Sequence, residues 1–482
     1  MSGAIETNLQ SIAGAWVAGD GATRVTVLNP ATAQPLAGFQ AISGAQLQQA
    51  LAATERGFAD WRARTALERC AILRRGAELL RARGGGVARL LTREQGKTLV
   101  EAGREIENAA QMIEWHAEEG RRLYGQTIPT RYPGARFHTQ REPIGPVAAL
   151  TPWNFPVMLS AIKASAALAA GCSVVLKPAE ETPLAVAELV RCLHEAGVPG
   201  EALQMVLGVP AEISAALIDA PQIHKLSFTG STPVGRLLAA RAGDRLKPIT
   251  LELGGHAPVV VCEDADLPAT VAALAQIKLR NAGQICANPS RFFVHRRHYG
   301  AFVDAFRQVA ESTVVGPGED PATTMGPVIS ARRQRAVQAL VQDATRRGAR
   351  LVCGGRACDS AGGEAGFFHL PTVLADVPLD ARVMQEEPFG PLVPVVPFDD
   401  LDEVLALANS LPVGLAAFGF TQSLASARRL GEGLRAGAVG INAVQLMQPE
   451  TPFGGVMDSG HGRENGSAGI EAYTSLRAVV MG

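Results

Sequence analysis

Residues 225–236 read KLSFTGSTPVGR, and this stretch sets the fold class. An apolar strand runs to Thr229, the chain turns at Gly230 and Ser231, and Pro233 opens a helix that carries Gly235. Proline in the first turn and a hydroxyl just before it mark a helix N-terminus. Free backbone N–H groups and the helix dipole favour a phosphate there. The dinucleotide fingerprint G-x-G-x-x-G is missing, because Ser231 and Thr232 stand where its second glycine would fall, so a plain capped helix fits the same residues. Outward from this stretch the strand–turn–helix texture repeats. Upstream lie GPVAAL (145–150), a helix after Pro156, SVVLK (173–177), a helix over 183–197 closed by Gly197 and Pro199, and LQMVLG (203–208). Downstream lies TLELGG (250–255). Alternation at this spacing predicts an open parallel α/β sheet.

A second alternating region starts near Ala257, with helices expected over 265–280, 299–313 and 330–347 and strands at RFFVH (291–295) and VPVVPF (393–398). Helical periodicity precedes the sheet over 45–61, 67–83 and 86–120. The Gly-rich stretch 354–368 reads as a surface connector.

The chain has 482 residues, a formal charge of -1 and 47% hydrophobic residues. That composition excludes a disordered chain and gives no basic excess for nucleic acid. Seven cysteines at irregular spacing, with no C-x-x-C, argue against a disulfide scaffold or zinc ribbon and for a reducing compartment. The N-terminus lacks the basic and apolar regions of a signal peptide. The longest apolar run, Ala164 to Leu176, is well short of the roughly 20 residues that span a bilayer. The expectation is a soluble cytoplasmic protein with no membrane or nucleic-acid partner.

Several side chains stand out by chemistry. In VVLKPAEETP (174–183), Lys177 and Glu180 follow a strand's carboxyl end, where they can meet ribose hydroxyls or simply face water. Glu252 lies between two leucines in LELGGHAP (251–258); burial would raise its pKa and suit it to general-base work, while a strand-end Glu facing solvent is the alternative. Cys286 lies in a polar loop, RNAGQICANPSR (280–291), as a reactive thiol or a small buried hydrophobe. Asn154 in TPWNFP (151–156) is an amide suited to a developing oxyanion, or one that tightens a turn. QEEPFGP (385–391) and PFGGVMDSGHGRE (452–464) combine Gly, Pro and Phe with charges, as packing against a planar ligand requires. No His/Cys/Asp cluster has ligand spacing, so no metal is expected.

In this order, TPWNFP, LKPAEETP, FTGSTPVGR, LELGGHAP, GQIC, EEPFGP and PFGG with the following SGHGRE resemble the NAD(P)-dependent aldehyde dehydrogenase superfamily over essentially the whole chain. EWHAEEGRRLYG (114–125), REPIGPVAALTPWNFP and ETPFGG are most similar to the succinate-semialdehyde and α-ketoglutaric-semialdehyde branch. The resemblance implies a variant Rossmann cofactor domain (1–122 and 141–253), an α/β catalytic domain (254–447), and a small bridging β element (123–140 and 465–482) that builds homodimers or homotetramers. It implies Cys286 as nucleophile, Glu252 as general base, Asn154 with the Cys286 N–H as oxyanion hole, and Lys163 and Glu464 as a proton relay. Thr151, Pro152, Trp153, Lys177, Glu180, Gly230, Ser231, Glu252, Leu253, Glu387 and Phe389 are the implied cofactor contacts. Glu180 points to NAD rather than NADP, with NADP use left open.

The chain also departs from that pattern. Met457 stands where the family carries Lys in PFGG-x-K. Of the substrate-carboxylate groups typical of semialdehyde enzymes, Arg280 is kept, while Ile162 replaces an Arg and Gln448 a Ser. The implied reaction is oxidation of an aldehyde to the acid through a Cys thiohemiacetal and thioester. A semialdehyde is the first substrate class, and an uncharged aliphatic or aromatic aldehyde the second. A Cys-dependent esterase is the remaining alternative.

Overall fold

The computed structural model describes residues 5–358 and 366–482. Part of the Gly-rich connector, 359–365, therefore lies outside the described residues. Two large sheets dominate. In the first, the strands Ile249–Glu252, Lys225–Thr229, Val147–Leu150, Val174–Lys177 and Leu203–Met205 lie side by side and parallel. Short antiparallel strands flank them at Gly460–His461 on one side and at Gln10–Ile12 and Ala15–Val17 on the other. Each central strand except Ile249–Glu252 feeds a helix, and all five are buried but for Ile249, which is why Val147–Leu150 and Val174–Leu176 read as unbroken apolar runs.

Strand order reverses at Val147–Leu150, whose neighbours are Val174–Lys177 on one side and Lys225–Thr229 on the other. Open α/β sheets form their ligand crevice at such a point, outside the carboxyl ends of the strands. The register puts Leu150 opposite both Lys177 and Phe228, and Thr229 opposite Glu252. Four of the segments picked out in the sequence thus end in one row.

The second sheet runs Arg350–Cys353, Thr372–Ala375, Leu392–Phe398, Pro289–His295, Ala257–Val261, Ala416–Phe420 and Ala438–Ile441, parallel apart from its first strand. The chain passes from Glu252, at the carboxyl end of one sheet, to Ala257, at the amino end of the other, through Leu253–His256. The two sheets therefore meet carboxyl ends to amino ends. A small third sheet joins distant stretches: Arg136–Pro143 pairs antiparallel with Thr474–Met481 from Thr474↔Pro143 to Met481↔Arg136, and Thr127–Ile128 adds a third strand. Among the described residues, no helix is long and apolar enough to cross a membrane.

One expected element is corrected. Residues 86–120 do not form a continuous helix but two, Gly84–Gln95 and Leu99–Glu119. Gly96 ends the first in the left-handed region (φ 100°), and Thr98 opens the second with a capping box shared with Glu101. The stop and start signals outweigh the apolar periodicity that runs through them.

The helix Pro156–Ala170 carries the segment after Asn154 and is buried along its whole length. Trp61 anchors its far end: the indole is fully buried and its Nε1–H donates to the Leu168 carbonyl at 2.8 Å. Trp61→Phe keeps the ring and loses that bond, an expected cost of about 1 kcal/mol. Trp61→Ala is expected to cost about 3–5 kcal/mol. Urea midpoints of the two variants against the parent check the ranking.

Candidate active site

Three loops meet at the seam between the sheets. The Thr151–Phe155 turn leaves the first sheet at its reversal point, residues 279–288 approach the amino end of strand Pro289–His295, and Glu386–Gly390 approaches the amino end of strand Leu392–Phe398. Backbones pack directly: a Cβ on Gly283 would come within 2.2 Å of the Gly390 carbonyl oxygen. One on Gly254 would come within 2.6 Å of Glu387 Oε2, and one on Gly255 within 3.1 Å of the Cys286 carbonyl oxygen. The Gly254-Gly255 pair is therefore what lets Glu387 and the Cys286 loop close onto the end of strand Ile249–Glu252.

Glu252 is 1% exposed, and neither carboxylate oxygen has a hydrogen-bond partner among the described residues. Burial, reinforced by the charge of Glu464, pushes its pKa up to about 7. Cys286 remains partly open. Burial first, and then the facing Glu252 carboxylate, push its thiol well above the ordinary value. The Ala287 amide works against this rise without cancelling it, so burial and the acidic neighbour together hold the thiol up.

Asn154 is buried and donates through Nδ2 to the Gln284 carbonyl at 3.1 Å, which leaves its second amide proton uncommitted. Gln284 is held in turn, its Oε1 accepting from Ile329 N at 2.9 Å and its Nε2 donating to the Asn281 carbonyl at 3.0 Å. The loop is strained: Asn281 and Ala282 both have positive φ (51° and 52°), as does Phe389 (44°), while Asn465 lies at φ 58°, ψ 177°. Non-glycine residues in such regions cost of order 1–3 kcal/mol each and cluster at functional sites.

Lys163 and Glu464 form a buried ion pair, although 301 positions apart, and Lys163 also donates to Ser227 Oγ at 3.2 Å. Lys177 and Glu180 pair at the end of strand Val174–Lys177. Ser231 is the N-cap of helix Thr232–Asp244 but makes no side-chain cap bond, so its hydroxyl is free for an anion. Thr151 Oγ1 is bound to Ser160 Oγ at 3.0 Å, Leu253 N donates to the Ser459 carbonyl at 3.0 Å, and Gly230 N donates to the Glu252 carbonyl at 3.1 Å. Pro152 and Trp153 continue the turn, and Trp153 meets Phe389 edge-on at 5.4 Å. Burial raises the Glu387 pKa to about 8, against the Gly255 amide and Arg333, and its Oε1 is sealed without a partner.

Of the expected substrate residues, Arg280 reaches the site: its guanidinium stacks 5.1 Å from the Phe155 ring centroid, and no carboxylate among the described residues pairs with it. Ile162 is buried on the Pro156–Ala170 helix. Gln448 lines a cavity of about 460 Å³ with Gln111, Trp115 and Arg122. Sequence reasoning passed over Lys97, Glu101 and Glu105, which lie behind the Asn154 turn. The break at Gly96–Thr98 was the signal, since a lysine between two helices and a glutamate inside the second are readable only once the helices are separated.

The aldehyde dehydrogenase family model matches residues 16–479. The chain is 52% identical to 4-(hydroxymethyl)benzenesulfonate dehydrogenase TsaD1 of Comamonas testosteroni, over 97% of this chain and 96% of that one. It is 41% identical to succinate-semialdehyde dehydrogenase [NADP(+)] GabD of Escherichia coli K12, over 98% and 97%. A solved NAD+ complex of an aldehyde dehydrogenase from Bacillus cereus superposes with TM-score 0.95 at 35% identity, over 98% of this chain and 96% of that one.

The electrostatics of Cys286 make a direct prediction. Its alkylation by iodoacetamide should rise with pH at values above the ordinary thiol range. Glu252→Gln removes the facing charge and should move that profile to lower pH. Rates of labelling followed by mass spectrometry across pH test this; an unmoved or upward-moved profile in the variant contradicts it.

Proposed function

The chain belongs to the aldehyde dehydrogenase family and oxidises aldehydes, and from that premise we propose a substrate whose far end carries an anion, with Cys286 as nucleophile and NAD as hydride acceptor. One observation carries the chemistry: a partly open thiol faces a buried, unpartnered carboxylate, beside an amide with a proton to give. Glu252 takes the Cys286 proton, and the thiolate attacks the aldehyde carbon. Asn154 Nδ2 and the Cys286 N–H receive the oxyanion; a donor of this kind is typically worth about 2.7–4 kcal/mol.

The residues present fit a nicotinamide dinucleotide. Glu387 offers a sealed, unpartnered oxygen, Ser231 an uncommitted hydroxyl at a helix N-terminus, and Lys177 with Glu180 a polar pair at the strand end. Val234 and Leu237, exposed on helix Thr232–Asp244, supply an apolar face for the adenine ring. When bound, the nicotinamide accepts hydride from the former aldehyde carbon. The Glu180 carboxylate disfavours a 2′-phosphate, which is the ground for choosing NAD. The proton that Glu252 took from Cys286 first leaves through the Lys163–Glu464 pair. Glu252 then takes a proton from water as the oxygen adds to the thioester carbon, the C–S bond breaks, the acid is released, and the Cys286 thiolate takes that proton back from Glu252 as the thiol.

Arg280 argues for the anionic end. The guanidinium is half-buried and makes no direct ion pair; Glu101 and Glu105 act on it only from a distance, and an anion bound against it would offset the rest of its burial. Phe155 beneath it favours an aromatic or otherwise apolar middle section. The relative named for a benzenesulfonate carries both features in its substrate name.

Cys286→Ala is expected to abolish NADH formation from an aldehyde while NAD binding, followed by fluorescence titration, is retained. Appreciable turnover in this variant would sink the nucleophile assignment. Arg280→Met is expected to lower kcat/KM for 4-formylbenzenesulfonate or succinate semialdehyde about tenfold or more, as loss of a charge-assisted bond implies, and to leave benzaldehyde nearly unchanged. Equal losses on charged and uncharged substrates would contradict the anionic-end reading.

A further inference from the structure

Behind the Asn154 turn sits a buried charge pair that none of the chemistry above uses. Lys97, 1% exposed, lies in the break between helices Gly84–Gln95 and Leu99–Glu119. Its Nζ pairs with the fully enclosed Glu105 carboxylate, donates to the Asn154 backbone carbonyl at 2.8 Å and stands 4.0 Å from the Phe155 ring centroid. Glu105 uses its other oxygen to accept from the Val157 and Met158 amides at 3.0 and 3.2 Å. Those amides open helix Pro156–Ala170, which has no side-chain cap of its own. Asn154 is thus gripped from both sides, at its own carbonyl by Lys97 and through the following helix by Glu105.

The same turn of helix also holds the opposing loop. Glu101 Oε1 accepts from Asn281 N at 2.8 Å, and Asn281 Nδ2 reaches the Asn154 carbonyl at 3.0 Å. Asn281 is one of the strained residues that lead to Cys286. A single short segment, 97–105, therefore sets the separation between the Asn154 amide and the Cys286 backbone, the two halves of the oxyanion hole.

We propose that Lys97 and Glu105 are positioning residues for the oxyanion hole: their ion pair fixes the Asn154 amide relative to Cys286 without touching substrate or cofactor. The inference rests on the reading of Asn154 given under Proposed function. Burying a charge pair is costly, and a well-packed apolar pair of the same volume would hold the helices together as well or better. What an apolar pair cannot do is bond the Asn154 carbonyl and the first amides of the next helix at once. Misplacement by about 1 Å of a group that acts in the transition state costs on the order of 10²-fold in rate.

A double-mutant cycle tests this. The variants are Lys97→Met, Glu105→Gln, Asn154→Ala and the two pairs with Asn154→Ala, assayed as full-length enzyme with NAD and 4-formylbenzenesulfonate. Thermal unfolding and NAD titration accompany each, and Glu105→Gln, which keeps an acceptor for the helix amides, serves where Lys97→Met does not fold. In the parent background, Lys97→Met and Glu105→Gln are expected to lower kcat roughly 10- to 100-fold, with KM and NAD affinity within about twofold. In the Asn154→Ala background the same changes should lower kcat by less than about threefold, because no donor remains to be placed. Lys97→Arg should recover part of the loss. Equal factors in both backgrounds would show a general structural role and overturn the inference while leaving the oxyanion reading intact. No loss of kcat on Asn154→Ala alone would overturn that reading and the inference with it.

Discussion

Everything at the seam depends on how closely two backbones approach where the chain leaves one sheet for the other. Glu252 ends a buried parallel strand, Gly254 and Gly255 follow, and Ala257 begins the second sheet. No side chain larger than hydrogen fits at either glycine without meeting Glu387 or the Cys286 carbonyl. That restriction places a carboxylate, a thiol and a second carboxylate within one small volume, and their electrostatics follow from the placement. Crowded acidic groups out of water raise one another's pKa, which brings Glu252 to about 7 and holds the Cys286 thiol well above its ordinary value.

Much of this arrangement was legible in the residues because it is local. Lys177, Ser231 and Glu252 sit at or just past the ends of apolar strands, and strand ends in an open α/β sheet are where ligands bind. The interval pattern of glycine, proline and hydroxyl in FTGSTPVGR fixed a helix start that the structure retains. The unbroken burial of Val147–Leu150 and Val174–Lys177 was readable from their lack of polar alternation.

What was not legible is long-range or depends on a broken element. The pairing of Lys163 with Glu464 joins residues 301 positions apart; no local pattern encodes it, and the family resemblance alone set the two side by side. Lys97 was hidden inside an apolar periodicity that continues through the Gly96–Thr98 break, and only the left-handed Gly96 and the Thr98 capping box reveal two helices. The register of Arg136–Pro143 along Thr474–Met481 likewise joins distant stretches of chain and came from the structure.

The two adjacent left-handed residues before Cys286, Asn281 and Ala282, carry a lesson about how this protein can change over time. Glycine adopts that backbone without penalty, so substituting it at either place would ease local tension in the fold. The same relaxation would give the loop freedom where catalysis wants rigidity, and at Asn281 it would also remove the amide bonded to Asn154. Lineages that tune this chain for heat tolerance alone would thus drift toward sturdier but slower catalysts, the familiar trade between robustness and turnover.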